Sequence, residues 1–255
     1  MISAQQIYDF INGFAPFDTA MSFDNVGILI GSGSEVSERV ILALDLTRKV
    51  IDEAVKKNAG IIITHHPVIF SPLRHLDTES IPYLAAKNGI TVISAHTNLD
   101  IAAGGVNDTL AHAAGVETEE RFPDDCALTG RLSTPLTCPE LASSLCKRLS
   151  LAGLRYTDNG RKIQRAVVSC GAGGEGVFIA KEKGADAIIT GEIKHHLIEF
   201  ANDNGIAVFD LGHFGSEKLI IPVLTEKLRA AFPSCEFIHS ENDTDGIQYF
   251  TSCNT

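Results

Sequence analysis

Three short phrases hold residues whose types and spacing suit metal chemistry. His65 and His66 directly follow the apolar run Ile61–Ile63 and Thr64, and precede Pro67. His96 opens HTNLD, which puts Asp100 four positions later, and His213 opens HFGSE, which puts Glu217 four positions later. His213 lies 117 positions after His96, and Glu217 lies the same 117 after Asp100. Adjacent side chains diverge, so a His-His pair can serve two neighbouring ions. Residues four apart share one face of a helix, so each His–acid pair can grip one ion. A set of imidazole nitrogens and carboxylate oxygens without cysteine suits zinc, iron, manganese or nickel. Two such ions held close together activate a bridging water for hydrolysis.

An isolated His-His pair at a strand end ordinarily makes hydrogen bonds in a loop. Two further histidines with identical spacing to an acid make a metal site the better reading. His75, His112 and His239 have no such context and read as structural or surface residues.

The elements that position these residues follow from periodicity. Ser3 is expected to cap a helix running to about Asn12, with Ile7, Phe10, Ile11 and Phe14 on one face. VGILIG (26–31), RVILALDL (39–46), GIIIT (60–64) and ITVISAH (90–96) read as strands, the second apolar enough to be covered on both sides. Helices are expected from Thr47 to about Asn58 and over about 80–88. The same order returns in RAVVSC (165–170), a helix to Lys183, ADAIIT (185–190), a helix near 193–203 and IAVFDLGH (206–213). At an offset of 126, Arg39, Ala54, Lys57, Ala59, Ile62, Ile63 and Thr64 meet identical residues; at 116, Asn88-Gly89-Ile90 meet Asn204-Gly205-Ile206. This is the signature of a duplicated α/β unit. In parallel α/β sheets, ligands bind at the carboxyl ends of strands, where these histidines fall.

The duplication predicts a first repeat over 1–115 and a second over 163–255. Residues 116–162 fit neither and read as a connector or assembly element, with a strand at 127–133, a helix beginning near Pro139 and a short strand at 154–158. SCEFIHS (234–240) and GIQYF (246–250) read as short strands.

Composition narrows the class. The 255 residues are 44% hydrophobic and 21% charged, which excludes disorder and fibrous repeats. No apolar run approaches the roughly 20 residues of a membrane span, and MISAQQIYDF lacks the basic start and apolar core of a leader, so a cytoplasmic protein is expected. A net charge of −11 argues against nucleic acid and anionic lipid as partners. The six cysteines, with no C-x-x-C pair, read mostly as small core residues kept reduced.

FDNVGILIG, ITHHPVIF, SAHTNLD, TGEIKHH and DLGHFGSE, in this order, resemble the Nif-three-like family of dinuclear metal centre proteins, also known as GTP cyclohydrolase 1 type 2 homologues. The resemblance covers nearly the whole chain outside 116–162. It implies an α/β fold of two intertwined, duplicated repeats with mixed sheets and a two-metal site between them. It also implies a homohexamer, a trimer of dimers. Carried over by motif, the metal ligands would be His65, His66, Asp100, His213 and Glu217, with His96 either a ligand or a supporting residue. Phe23 stands where the family often has Trp before the Asp24-Asn25 pair. In TGEIKHH, Gly191-Glu192 replaces the His-His pair of the first repeat. Glu192 and His195 there could be the general acid and base or contact substrate, or form only a solvated helix start. Gly171–Gly174 reads as a tight packing turn in preference to a phosphate cradle.

The resemblance points to a metal-dependent hydrolase that binds two divalent ions and acts on a nucleotide or related phosphorylated heterocycle. Two other readings stay open: a metal-binding regulatory or partner-binding ring without catalysis, and a two-metal phosphatase or phosphodiesterase.

Overall fold

The computed structural model describes residues 1–250. Local sequence sets the first elements. A two-residue strand β1 (Ile2–Ser3) leads into α1 (Ala4–Asn12), where Ser3 and Gln6 complete a capping box. β2 (Gly27–Ile30), β3 (Val36–Ser37) and β4 (Arg39–Ala43) follow. Thr47 then caps α2 (Arg48–Lys57), which Asn58 ends in the left-handed conformation (φ +53°). β5 (Ile61–Thr64), α3 (Ile81–Lys87), β6 (Thr91–Ser94) and α4 (Thr97–Ile101) complete the first stretch.

The chain continues through α5 (Val106–Ala114), β7 (Val116–Phe122), β8 (Ala127–Thr137), α6 (Cys138–Leu149), β9 (Arg155–Tyr156) and β10 (Lys162–Ser169). α7 (Val177–Glu182), β11 (Ala187–Thr190), α8 (His195–Asp203), β12 (Ala207–Asp210) and α9 (His213–Glu217) come next. α10 (Ile220–Ala231) and β13 (Glu236–His239) close the described elements.

Two compact units result. One comprises Met1–Gly105 with Ile220–Thr244; the other comprises Val106–Leu219 with the segment from Asp245. In the first, a five-stranded mixed sheet has the order β13-β4-β5-β6-β2, parallel except for β2. β1 and β3 pair separately. In the second, a six-stranded mixed sheet has the order β7-β8-β10-β11-β12-β9, with β10, β11 and β12 parallel. RVILALDL, expected to be covered on both sides, is buried over Val40–Ala43, and every residue of β5, β6, β11 and β12 is likewise shielded from solvent. Ile41, Ile62 and Val92 pack with Val50, Ile51 and Ala54 in the first unit. Val167, Ile188 and Val208 pack with Val177, Ala180, Leu197 and Ala201 in the second.

The duplication extends to strand register. Val40 faces Ile61 in one sheet and Ala166 faces Ala187 in the other, both partners displaced by 126. Ile61 faces Thr91, and Ala187 faces Ala207, which reproduces the second offset of 116. Side-chain bonds are copied too: Arg39 donates to the Lys57 carbonyl (2.9 Å) as Arg165 does to that of Lys183 (3.2 Å). The Asn88 amide reaches the Leu84 carbonyl and the Asn204 amide that of Phe200.

The boundaries differ from those expected at 115 and 162. Residues 116–162 do not stand apart, because β7, β8 and β9 are strands of the second unit's sheet and α6 packs against β8 and β10. Residues 220–244 belong to the first unit, because β13 pairs in parallel with β4 and α10 packs on both. The end of this return is held by a buried carboxylate. Glu53 on α2 accepts from the Ser240 hydroxyl (2.6 Å), the Asn242 amide (2.9 Å) and the Glu241 backbone (3.2 Å), and pairs with Lys57 (2.8 Å). Burial alone would raise its pKa, but these donors hold it at about 2 against an ordinary 4.5. The GIQYF segment, expected as a strand, joins no sheet: residues 246–250 are irregular, and Ile247 and Tyr249 instead wall a cavity described below.

Candidate metal centre

In the first unit the ladder runs on past the formal strand ends and fixes the histidines. His65 and His66 donate backbone N–H groups to the carbonyls of Ala43 and Leu44, and Ala95 donates to that of Thr64. The Thr64 hydroxyl bonds Ser94 Oγ and the His66 carbonyl, each at 2.8 Å. His96 caps α4, and Asp100 N–H closes that turn on the His96 carbonyl (2.9 Å). The four-residue spacing thus returns Asp100 toward the strand ends, where its Oδ1 lies 3.4 Å from His65 Nε2. His65 and Asp100 are buried, and His66 and His96 are partly open.

One ligand atom from each of His65, His66 and His96 falls within 4.8 Å of the others. Each Nδ1 meets an oxygen acceptor: the Ala95 carbonyl for His65 (2.9 Å), Asp45 Oδ1 for His66 (2.8 Å) and Asp24 Oδ1 for His96 (2.9 Å). With Nδ1 donating to these oxygens, each ring keeps a lone pair on Nε2 that can bind a metal. Imidazoles oriented in this way by carboxylates and carbonyls are the usual surroundings of metal-binding histidines. The donor chemistry therefore fits a divalent ion, and His96 shares the Nδ1 arrangement of His65 and His66.

Motif spacing marks Asp24 only as the neighbour of Phe23 and leaves Asp45 unmarked, yet both orient histidines here. The position of Asp45, next to last in RVILALDL and beyond a strand edge where the histidines cluster, is a signal that could have found it. Burial would raise the Asp24 carboxyl, but hydrogen bonds from His96 and from the Thr97 hydroxyl and amide hold it at about 2, below its ordinary 3.8.

In the second unit the matching strand end builds a smaller array. Gly212, at φ +78°, turns the chain into α9, whose first and last residues are His213 and Glu217. His213 Nε2 lies 3.2 Å from Glu217 Oε2, and its Nδ1 lies 3.3 Å from Glu192 Oε1. Glu217 is buried, while Glu192 is open to solvent. Glycine makes this approach possible. A Cβ on Gly171 would sit 2.2 Å from Glu217 Oε1, and one on Gly191 would sit 2.5 Å from the Gly171 carbonyl and Ser216 Oγ. The Gly171–Gly174 turn is close-packed at its three glycines, with a Cβ on Gly173 meeting Ser169 Oγ at 2.1 Å.

A cavity of about 520 Å³ opens at this array, in the range of small-molecule sites. Glu192, His213, Arg155, Lys194 and Asp210 supply its polar lining, and Ile193, Leu197, Ile247 and Tyr249 its apolar walls. Arg155 pairs with Asp210. His195 and His196 are exposed at the start of α8 and do not line the cavity. The structure thus brings Glu192 to His213 and leaves His195 outside.

A duplicated α/β chain whose strand ends gather imidazoles and carboxylates in metal-binding order belongs to the class of α/β proteins with a candidate metal centre. The family model described as Duf34/NIF3 (NGG1p interacting factor 3) matches residues 2–246, and the chain belongs to that family. A Clostridium acetobutylicum protein named GTP cyclohydrolase 1 type 2 homolog is 34% identical over 267 residues, which span 97% of this chain and 99% of that protein. NIF3-like protein 1 of Drosophila melanogaster is 32% identical over 254 residues, 93% of this chain and 86% of its own. Among solved structures, the Bacillus cereus protein related to NIF3 shares the fold with a TM-score of 0.87 at 23% identity, covering 98% and 99% of the two chains. Reduced HcgD from Methanocaldococcus jannaschii gives a TM-score of 0.81 at 26% identity over 94% and 98%.

Proposed function

We propose that this chain is a hydrolase dependent on two divalent metal ions, which acts on a nucleotide or related phosphorylated heterocycle, as the names of its GTP cyclohydrolase 1 type 2 homologues suggest. The observation that carries the reading is the trio His65, His66 and His96, each with Nδ1 held by an oxygen acceptor and a ligand atom in one cluster. His65, His66, Asp100, His213 and Glu217 are the proposed ligands, joined by His96. Zinc, iron, manganese or nickel suits such nitrogen and oxygen donors. Bound there, the ions would supply Lewis acidity and lower the pKa of a coordinated water.

The chain's own residues supply the rest. Asp24, Asp45 and the Ala95 carbonyl hold the three imidazoles in one tautomer and orientation. Glu192, open to the cavity and 3.3 Å from His213 Nδ1, is the proposed general acid or base at the substrate's leaving atom. His195 has no place in the cavity lining, and we assign it no proton transfer. Ile193, Leu197 and Tyr249 would exclude water from the side of the site at Glu192 and His213. A homohexamer built as a trimer of dimers is proposed from the family resemblance alone.

The test is elemental analysis of the gently purified protein, followed by an assay of the metal-loaded form on GTP with His66→Ala as control. Two metal equivalents per chain and a ring-opened product absent from the control support the reading. A metal-free protein, or turnover equal to that of the control, overturns it. Light scattering on the same sample gives the subunit number.

A further inference from the structure

Beside the histidine trio of the first unit, two aromatic rings stand in solvent. Phe23 is 62% exposed and Phe70 49% exposed, although both side chains are fully apolar. Their centroids lie 6.2 Å apart, and the Phe70 ring meets that of His96 edge-on at 6.3 Å. Solvent-exposed aromatics on loops are ordinarily mobile, but these two are anchored through their neighbours. Met21 N–H bonds Thr97 Oγ1 (2.9 Å), and Asp24, next to Phe23, is held by His96 and by both the amide and hydroxyl of Thr97. Asn25 Nδ2 then donates to the Ile69 carbonyl (2.5 Å), tying the backbone of the first ring to that of the second.

The same hydrogen bonds that orient His96 therefore also fix an apolar, ring-lined ledge next to it. A rigid aromatic surface held in water beside polar donors is suited to stacking one face of a flat ring, which loses little entropy on contact. Neither ring supplies a donor or acceptor, so the ledge would read ring shape and not a hydrogen-bonding edge.

We propose that Phe23 and Phe70 form a stacking platform for the planar heterocycle of a ligand whose polar part faces the histidine trio. This deepens the reading of the site as one that acts on a ring-bearing nucleotide, and rests on it for the choice of probe.

The chain contains no tryptophan, so Phe23→Trp introduces a single fluorescent reporter that keeps an aromatic ring in place. Metal-loaded Phe23→Trp is titrated with GTP, ATP, UTP and inorganic tripolyphosphate. Quenching by at least one nucleotide and none by tripolyphosphate is the expected result. Calorimetry on Phe23→Ala and Phe70→Ala, with metal content checked, should show affinity for that nucleotide reduced on the order of 10-fold or more, with tripolyphosphate binding unchanged. Nucleotides that bind no better than tripolyphosphate, or with equal affinity to wild type and both alanine variants, overturn the platform. So does a change of subunit number in the alanine variants at unchanged nucleotide affinity, which makes the rings a contact between copies. The two readings fail separately: ring-dependent binding without turnover removes the hydrolase and keeps the platform, whereas GTP turnover with unaltered KM in both alanine variants does the reverse.

Discussion

Asp24 Oδ1 lies 2.9 Å from His96 Nδ1, joining residues 72 positions apart in the chain. The carboxylate is fully buried, held at about 2, and takes two further hydrogen bonds from Thr97. It thus stays ionised at any pH at which an imidazole can bind a metal. Asp24→Ala removes this acceptor and frees the His96 ring to turn. Metal affinity, measured by competition with a chromophoric chelator, should fall on the order of 10–100-fold. Unchanged affinity would mean that the neighbouring backbone alone orients His96.

Gly171 and Gly184 form a matched pair of tests. Both have positive φ, +54° and +62°, so alanine strains either backbone by about 1 kcal/mol. Only at Gly171 would the new methyl strike Glu217, 2.2 Å away, whereas nothing lies within 4 Å of it at Gly184. Gly171→Ala should lower the metal content of dialysed protein, and Gly184→Ala should cost stability alone. Elemental analysis and thermal melting of both variants separate the two effects.

Glu192 and His195 differ in placement, and their variants should differ in consequence. Glu192→Gln keeps the size and polarity of the cavity lining but cannot exchange a proton, so kcat on GTP should fall roughly 100-fold or more. His195→Ala, at an exposed helix start, should leave kcat near wild type. Steady-state kinetics with equal metal loading decide between them. Equal losses would place both histidine and glutamate at the reacting atoms.

Glu53 carries the pH dependence that lies farthest from the metal ligands in role. Its folded pKa of about 2 is below the ordinary 4.5, so its contribution is fully present above about pH 4.5 and fades as pH falls toward 2. Glu53→Gln should destabilise the protein at pH 7 by roughly 1–3 kcal/mol, because a charge-assisted network is broken in a buried setting. Urea midpoints at pH 7 and pH 3 should show the gap between wild type and variant narrowing in acid.

Much of this was legible in the sequence because its signals were local. Ser3 with Gln6, and Thr47 with the αL Asn58, mark helix ends by short-range hydrogen bonding, and the structure places α1 and α2 between them. The offsets of 126 and 116 were visible as matched residues and reappear as strand register. The His-x-x-x-acid spacing reappears in the second unit, where one helical turn brings Glu217 to His213, whereas in the first the same turn carries Asp100 to His65 and not to the His96 it was expected to share an ion with. Pairings between distant segments left no local trace. Nothing in Glu-rich VETEERF (116–122) announces an edge strand of the second sheet, since five of its residues face solvent. Nothing in EFIH (236–239) names β4 as its neighbour, and Asp24 and Asp45 meet their histidines only because separate strand ends converge.

The return of β13 to β4 has a consequence for how the chain is made. Glu236 pairs with Arg39 across 197 positions, so this β4 edge has no partner strand until the segment carrying β13 has also left the ribosome. Through that interval, a strand of four buried apolar residues, Val40–Ala43, presents an open row of backbone donors and acceptors. Closing so long a loop is slow compared with forming the local helices. The nascent protein is accordingly most exposed to wrong strand pairing between the synthesis of β4 and that of β13, and a chaperone that shields extended apolar edges would act on the β4 edge in that interval.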